Sequence, residues 1–466
     1  MRFLRGTKLV SIAAAAILVA ACSSAATPVP ATQAPTSAPA ASQPAAVTPA
    51  ATTAPATCKT LTVWAMPGSF SATTSNTLIT TFENAHPGCV VNYQVQQWNG
   101  IVTKLTTALA SNNPPDVMEI GNTDAITFEA AGALADLTSA RAMLGGGTSN
   151  VSDDPGQLWL SSLNSASVLN GKLFAVPFYA GDRVLIYRKD LFAAAKIDIT
   201  TLTSKDKLIA AAKTLQAANS SVKDFSGFYL PGQNWYALGQ MIADEGGAIA
   251  AQGSDGKWAG TLESAASEKG IQDYVDYFKA GSTGPADNDE ANPAQYSLFL
   301  AGKIGMMIGN GWEVGLSFGA KGVVKTADQV GTAPIPGATD GKTVPVFLGG
   351  SVIAVAAKSQ NVQAAEDFIA ELSTPAGQNA EISDGWIPSL KQFAANIPDT
   401  PANVTLKIQA AEAAAGSWFT PNAKGWAAVE ANNPIKSMMT AILTGQKTLD
   451  QAAKDADAAI NGVING

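Results

Sequence analysis

From Leu61 onward the chain alternates between short apolar runs and longer runs with helical spacing. Leu61–Ala65 has the length and apolar content of a buried strand. Thr77–Ala85 reads as a helix closed by His86-Pro87-Gly88, and Val90–Val95 as a second strand. Ile101–Ala110 is a helical pattern stopped by Ser111-Asn112-Asn113-Pro114-Pro115, and Asp116–Ile120 is a third strand. A β-α-β-α-β run of this kind predicts a parallel sheet with right-handed crossovers. Ligands bind such sheets beyond the carboxyl ends of the strands. The segments there are Met66-Pro67-Gly68-Ser69, Gln96-Gln97-Trp98-Asn99 and Gly121-Asn122-Thr123-Asp124.

Further along, Leu173–Pro177 and Arg183–Arg188 read as strands around Phe178-Tyr179-Ala180-Gly181-Asp182. A helix-rich region follows to about Ala280, with Trp235–Ile242 at helical spacing. Leu298–Ala301 ends a helix, Gly302 turns the chain, and Ile304–Ile308 is a buried strand. That strand carries Asn310-Gly311-Trp312-Glu313 as a loop. Val352–Ala356 is a strand entered through Gly349-Gly350-Ser351, Ala364–Leu372 is a helix, and helical spacing resumes from about Thr405. Strands that return after a helical region predict an α/β protein of two lobes joined by more than one crossover.

Upstream of Leu61 the pattern is different. Arg2, Arg5 and Lys8 precede an apolar run, Leu9 to Ala20, that is short for a membrane span and suited to a signal peptide. The run ends in Val19-Ala20-Ala21-Cys22-Ser23-Ser24, which resembles a lipoprotein processing site with Cys22 as the acylated residue. An ordinary signal peptide with an incidental cysteine is the other reading. Residues 1–21 are thus the expected leader. Residues 22–57 are an uncharged Ala/Pro/Ser/Thr linker that cannot bury enough surface to offset ordering entropy.

Composition narrows the function. At 466 residues, the chain exceeds one ordinary core. Its net charge of −8 gives nucleic acid no electrostatic help. The single histidine, His86, reads as a surface loop residue, and one histidine excludes a His-pair metal site. Asp287-Asn288-Asp289-Glu290 resembles a calcium loop but lacks its Gly and closing Glu, so it reads as a solvated loop. Cys58 and Cys89 directly precede the first two strands. If those strands are parallel neighbours, both cysteines lie at one end, within bridging reach; two separate thiols are the alternative.

Several segments, in order, resemble the family 1 extracellular solute-binding proteins, the carbohydrate-binding lipoproteins of ABC importers in the class of maltose-binding protein. They are Leu61-Thr62-Val63-Trp64, the stretch from Thr103-Lys104-Leu105 to Pro115-Asp116-Val117, and Ile186-Tyr187-Arg188-Lys189-Asp190-Leu191-Phe192. Then come Leu298–Met307 with Gly309-Asn310-Gly311-Trp312, Ala364-Ala365-Glu366-Asp367-Phe368-Ile369, and Gly385-Trp386-Ile387-Pro388. Arg188 stands where many members have Asn. The resemblance implies a two-lobed type II periplasmic-binding fold, each lobe a sheet flanked by helices, with the ligand cleft between them. Placed by these motifs, one lobe holds 58–178 plus 330–375 and the other 183–328 plus 376–466, with hinges near 178–183, 328–330 and 375–376. It also implies a monomer that needs no cofactor and catalyses nothing. Such a protein is held outside the cytoplasm on the cell membrane by its lipid, and hands a sugar or oligosaccharide to permease subunits.

A sugar presents apolar C–H faces and a rim of hydroxyls, so its site needs flat aromatic rings and angled polar groups. Among the 9 tryptophans, Trp98, Trp235, Trp312, Trp386 and Trp418 sit beside loop residues. Trp64 and Trp159 read as packing, Trp258 as peripheral, and Trp426 as a lesser candidate. For any one of them a core position is the rival reading. Tyr179 lies at the expected hinge. The hydrogen-bonding candidates are Asp124, Asp182, Arg183, Glu313 and Ser351. Asp182 and Arg183 could instead pair with each other, and Glu313 could cap the segment after it. A binding protein for another solute, such as a polyol or glycerol phosphate derivative, and a secreted carbohydrate-active enzyme are the competing functions. The enzyme would need two carboxylates flanking a scissile bond, and no motif supplies them.

Overall fold

A computed structural model describes residues 58–149 and 154–466; the leader, Cys22 and the linker lie outside them. Ten strands make the two main sheets: β1 Thr60–Ala65, β2 Val90–Val95, β3 Val117–Gly121, β4 Ala175–Gly181, β5 Arg183–Arg188, β6 Ser226–Tyr229, β7 Ile304–Asn310, β8 Val330–Ala333, β9 Gly349–Val355 and β10 Ile387–Pro388. The first sheet runs β10-β4-β9-β3-β1-β2 and the second β8-β5-β7-β6. β1, β2 and β3 are mutually parallel, as the alternating pattern predicts. β9 then pairs antiparallel with both β3 and β4, so the sheet is mixed.

The helices between the first strands follow from local sequence. α1 (Ala72–Ala85) begins five residues before the expected Thr77 because Ser71 caps it, its hydroxyl accepting the Thr74 N–H. It buries Leu78 and Phe82 on one face. α2 (Ile101–Ala110) buries Ile101, Leu105 and Leu109 at helical spacing and stops before the double proline. His86 is not a loose surface residue. It ends α1, stacks on Phe82 at 4.2 Å between centroids and places Nε2 3.0 Å from Asp367.

Each sheet has its own apolar core, one built around Leu61, Phe82, Trp159 and Phe178, the other around Phe228, Trp426 and Met306. The chain passes between the sheets at three places. β4 runs into β5 through Asp182 alone. The second passage leaves β8 and enters β9, and the third follows β10 and leads to α3 (Val404–Ala415). Two junctions therefore differ from those expected. The boundary at 328–330 assigned Val330–Ala333 to the first lobe, yet β8 pairs antiparallel with β5 in the second sheet. The boundary at 375–376 assigned Ile387–Pro388 to the second lobe, yet β10 pairs with β4 in the first. Both strands are too short for their periodicity to show which sheet they join.

Cys58 and Cys89 are bridged across the start of β1 and β2, with Cα atoms 5.0 Å apart. The bridge closes a loop of sequence separation 31, for which chain entropy gives about 3–4 kcal/mol. Replacing both by Ser should lower stability by that amount in urea unfolding and leave ligand choice unchanged. Equal urea midpoints for the two proteins would show that the bridge adds nothing. Among the described residues no helix is long and apolar enough to cross a membrane.

Candidate functional site

A cavity of about 270 Å³ opens between the two sheets. Tyr179, Gly181, Gly349, Gly350, Ser351 and Trp386 line it from the first sheet, together with Trp98 from the loop after β2. Asp182 lies at the passage itself, and Asn310, Gly311, Trp312 and Gln409 come from the second sheet and α3. Backbone conformation makes this convergence possible. Gly350 has φ +144°, and a Cβ there would lie 2.1 Å from the Tyr179 carbonyl oxygen. The residue lets β9 and β4 approach closely where the pairing register shifts.

The aromatic groups fall into two kinds. Trp98 and Trp312 keep 42% and 53% of their surface exposed, so their faces are open to a ligand. Trp386 lies half-buried and stacks on Tyr179 at 4.3 Å, with its indole N–H unpartnered. Trp235 is instead packed into the second core beside Trp418 and Trp426 and stacks on Tyr236 at 4.1 Å. It does not line the cavity. Trp426 is fully buried and donates to Glu430.

The polar candidates also separate. Asp182 is 1% exposed, lines the cavity, and neither carboxyl oxygen has a hydrogen-bond partner. Burial, reinforced by nearby Glu412, raises its pKa well above the usual carboxylate range. Its backbone carbonyl is held by the Gln409 amide at 2.7 Å and the Gly311 N–H at 3.2 Å. Ser351 is buried and donates to the Tyr179 hydroxyl at 3.3 Å.

Arg183 does not pair with Asp182. It binds Glu290 at 2.7 Å and lies over the Tyr236 ring at 4.6 Å. The Asp287–Glu290 stretch is accordingly anchored, with Asp289 also bound to Lys436 at 3.0 Å. Glu313 is 2% exposed and outside the cavity lining. Its carboxylate accepts the Asn310 N–H at 2.7 Å and closes a capping box on the short helix Gly311–Leu316. It is the cap, and the loop expected at Asn310–Glu313 is that helix's first turn. Asp124 is half-buried beside Gly121 and outside the cavity lining, with burial raising its pKa.

The cavity thus unites Trp98, Tyr179, Asp182, Trp312, Ser351 and Trp386, while Asp124, Arg183, Trp235 and Glu313 stand around it. Gln409 was missed. It is the lone amide on an alanine-rich helical face, Ile408-Gln409-Ala410-Ala411, and that isolation was its only sequence signal. Among the described residues no group of three or more His, Cys, Asp or Glu could hold a metal ion.

Comparison with known proteins agrees with this geometry. The chain is 36% identical over 406 residues to the diacetylchitobiose binding protein DasA of Streptomyces coelicolor, covering 86% of this chain and 89% of that one. It is 24% identical over 397 residues to a mannitol-binding protein of Pseudomonas aeruginosa, covering 80% and 85%. In structure it resembles the sugar-binding protein MalE of Xanthomonas citri (TM-score 0.71, 20% identity, 87% and 97% covered). It also resembles the GacH receptor of Streptomyces glaucescens (TM-score 0.67, 22% identity, 87% and 98% covered), solved unliganded and with acarbose. These likenesses establish the two-lobed type II periplasmic-binding fold. The sequence profile of the bacterial extracellular solute-binding proteins matches residues 71–379, and the chain belongs to that family.

Proposed function

We propose that the protein is the sugar-capturing component of an ABC importer, holding an oligosaccharide between its lobes and passing it to membrane permease subunits. The observation that carries this reading is the set of three tryptophans around one interlobe cavity: Trp98 and Trp386 on one side, Trp312 on the other. Flat faces suit the C–H surfaces of sugar rings, and the polar groups of Asp182, Gln409 and Asn310 suit their hydroxyls. The diacetylchitobiose binding protein DasA and the sugar-binding protein MalE support the same class. The protein acts as a monomer and catalyses no reaction. It is tethered outside the cytoplasm through lipid on Cys22, with residues 22–57 as the spacer. The mannitol-binding relative keeps a polyol as the second reading.

Tryptophan fluorescence titration with diacetylchitobiose, maltotetraose and mannitol tests this. A saturable shift with one oligosaccharide is expected, and chromatography after long incubation should show the sugar intact. Product formation would make the protein an enzyme. Saturation by mannitol alone would make the ligand a polyol.

A further inference from the structure

Glu119 lies in the middle of β3, fully buried among Val117, Met118 and Ile120. A carboxylate there is expensive to bury, and among the described residues no Lys or Arg forms an ion pair with it. It is surrounded by donors instead. Oε2 accepts the Met66 N–H at 2.8 Å, and Oε1 accepts the Ser69 hydroxyl at 2.6 Å and the Tyr179 hydroxyl at 3.3 Å. Tyr179 in turn accepts from Ser351. Burial raises the carboxyl's pKa, and these donors offset that rise only in part.

Two routes lead from this group to the cavity. Through Tyr179 it reaches Trp386, whose ring stacks on the tyrosine. Through Ser69 it holds the loop after β1, in which the Ser71 N–H donates to Asp384 at 2.9 Å. Asp384 precedes Gly385, at φ +88°, in the turn that presents Trp386. The indole is therefore fixed both by the ring beneath it and by its own backbone, and both supports converge on Glu119.

We propose that Glu119 is a positioning residue for ligand binding, which sets the orientation of Trp386 from beneath the sheet without touching the ligand. The proposal rests on the cleft being the ligand site. Its energetic logic is that of an outer-shell partner, whose loss leaves several donors unsatisfied and frees the group they orient.

The test compares wild type with Glu119→Gln, Ser69→Ala and the double variant, each at a temperature where near-ultraviolet dichroism shows it folded. The ligand is whichever oligosaccharide the titration identifies. Glu119→Gln should weaken binding about 10- to 100-fold. Ser69→Ala should weaken it less, and the double variant should be no worse than Glu119→Gln, because both act through one network. Acrylamide quenching of unliganded protein, taken as the difference from the matching Trp386→Phe version, should show a more accessible Trp386 in Glu119→Gln. Wild-type affinity in Glu119→Gln, whatever its melting temperature, overturns the proposal, as do additive losses. If wild type binds no sugar, the functional reading fails, and the quenching still decides this one: unchanged Trp386 accessibility in Glu119→Gln overturns it.

Discussion

Replacing Trp312 and Trp386 together by Ala should weaken ligand binding by about 10³-fold or more, because each presents an aromatic face to the same cavity. Aromatic anchors of this kind contribute about 2 kcal/mol or more when truncated, and 1.4 kcal/mol is a factor of ten. The stability effect should be unequal. Trp312 is 53% exposed and meets the Tyr296 ring edge-on at 6.0 Å, so removing it alone should leave the unfolding midpoint nearly unchanged. Trp386 packs on Tyr179 and should contribute a modest loss. Trp426→Ala is the contrasting control. Its ring is fully buried in the second core, and truncation there should cost about 3–5 kcal/mol while a folded fraction still binds. Calorimetric titration is the appropriate measurement, since the double variant lacks two of the cavity's three tryptophans. Affinity of the double variant within tenfold of wild type would show that the sugar is held elsewhere.

How much of this was legible in the sequence follows from what each feature depends on. The first three strands and α2 were readable to within a residue or two, because long apolar periodicity is a local property. The position of Cys58 and Cys89 before parallel strands gave the bridge a geometric basis before any coordinates. Strand partnership is not legible where strands are short, and the lobe ranges drawn from motifs therefore put the residues of β8 and β10 on the other side of the boundary from the sheets they join. For the site, exposure decided what residue type could not. Trp98 and Trp312 are open, whereas Trp235 has the same loop-like neighbours and is buried behind Tyr236. Arg183 and Glu313 took structural partners distant or local, Glu290 and Asn310, that their neighbours in sequence only half suggested. Glu119 drew no attention in the sequence beyond its place in the third strand, because its donors lie 50 and 60 residues away.

Stability should be greatest near pH 5 and fall towards pH 8.5, and Glu129 should account for a large part of the decline. Glu129 is 3% exposed, and neither carboxyl oxygen has a hydrogen-bond partner. Burial alone pushes its pKa up to about 8. In the unfolded chain a glutamate releases its proton near pH 4.3. Between these values the native state holds a proton that the unfolded state has lost, so stability falls as pH rises through that window. Over the full interval the loss is about 5 kcal/mol, an upper figure because a buried site can relax or admit water. Asp182, Glu381, Glu412 and Glu430 are raised by burial too and act with the same sign. Asp190 and Asp289, held low by Arg188 and Lys436, act oppositely: their contribution is lost as pH falls below the ordinary carboxylate range. Glu129→Gln keeps the shape and cannot ionise. Urea unfolding at pH 5 and pH 8.5 should therefore show the variant close to wild type at the lower pH and more stable than wild type at the higher one. An equally steep decline in the variant would mean that Glu129 ionises without penalty, and that the buried acids around the cleft carry the dependence between them.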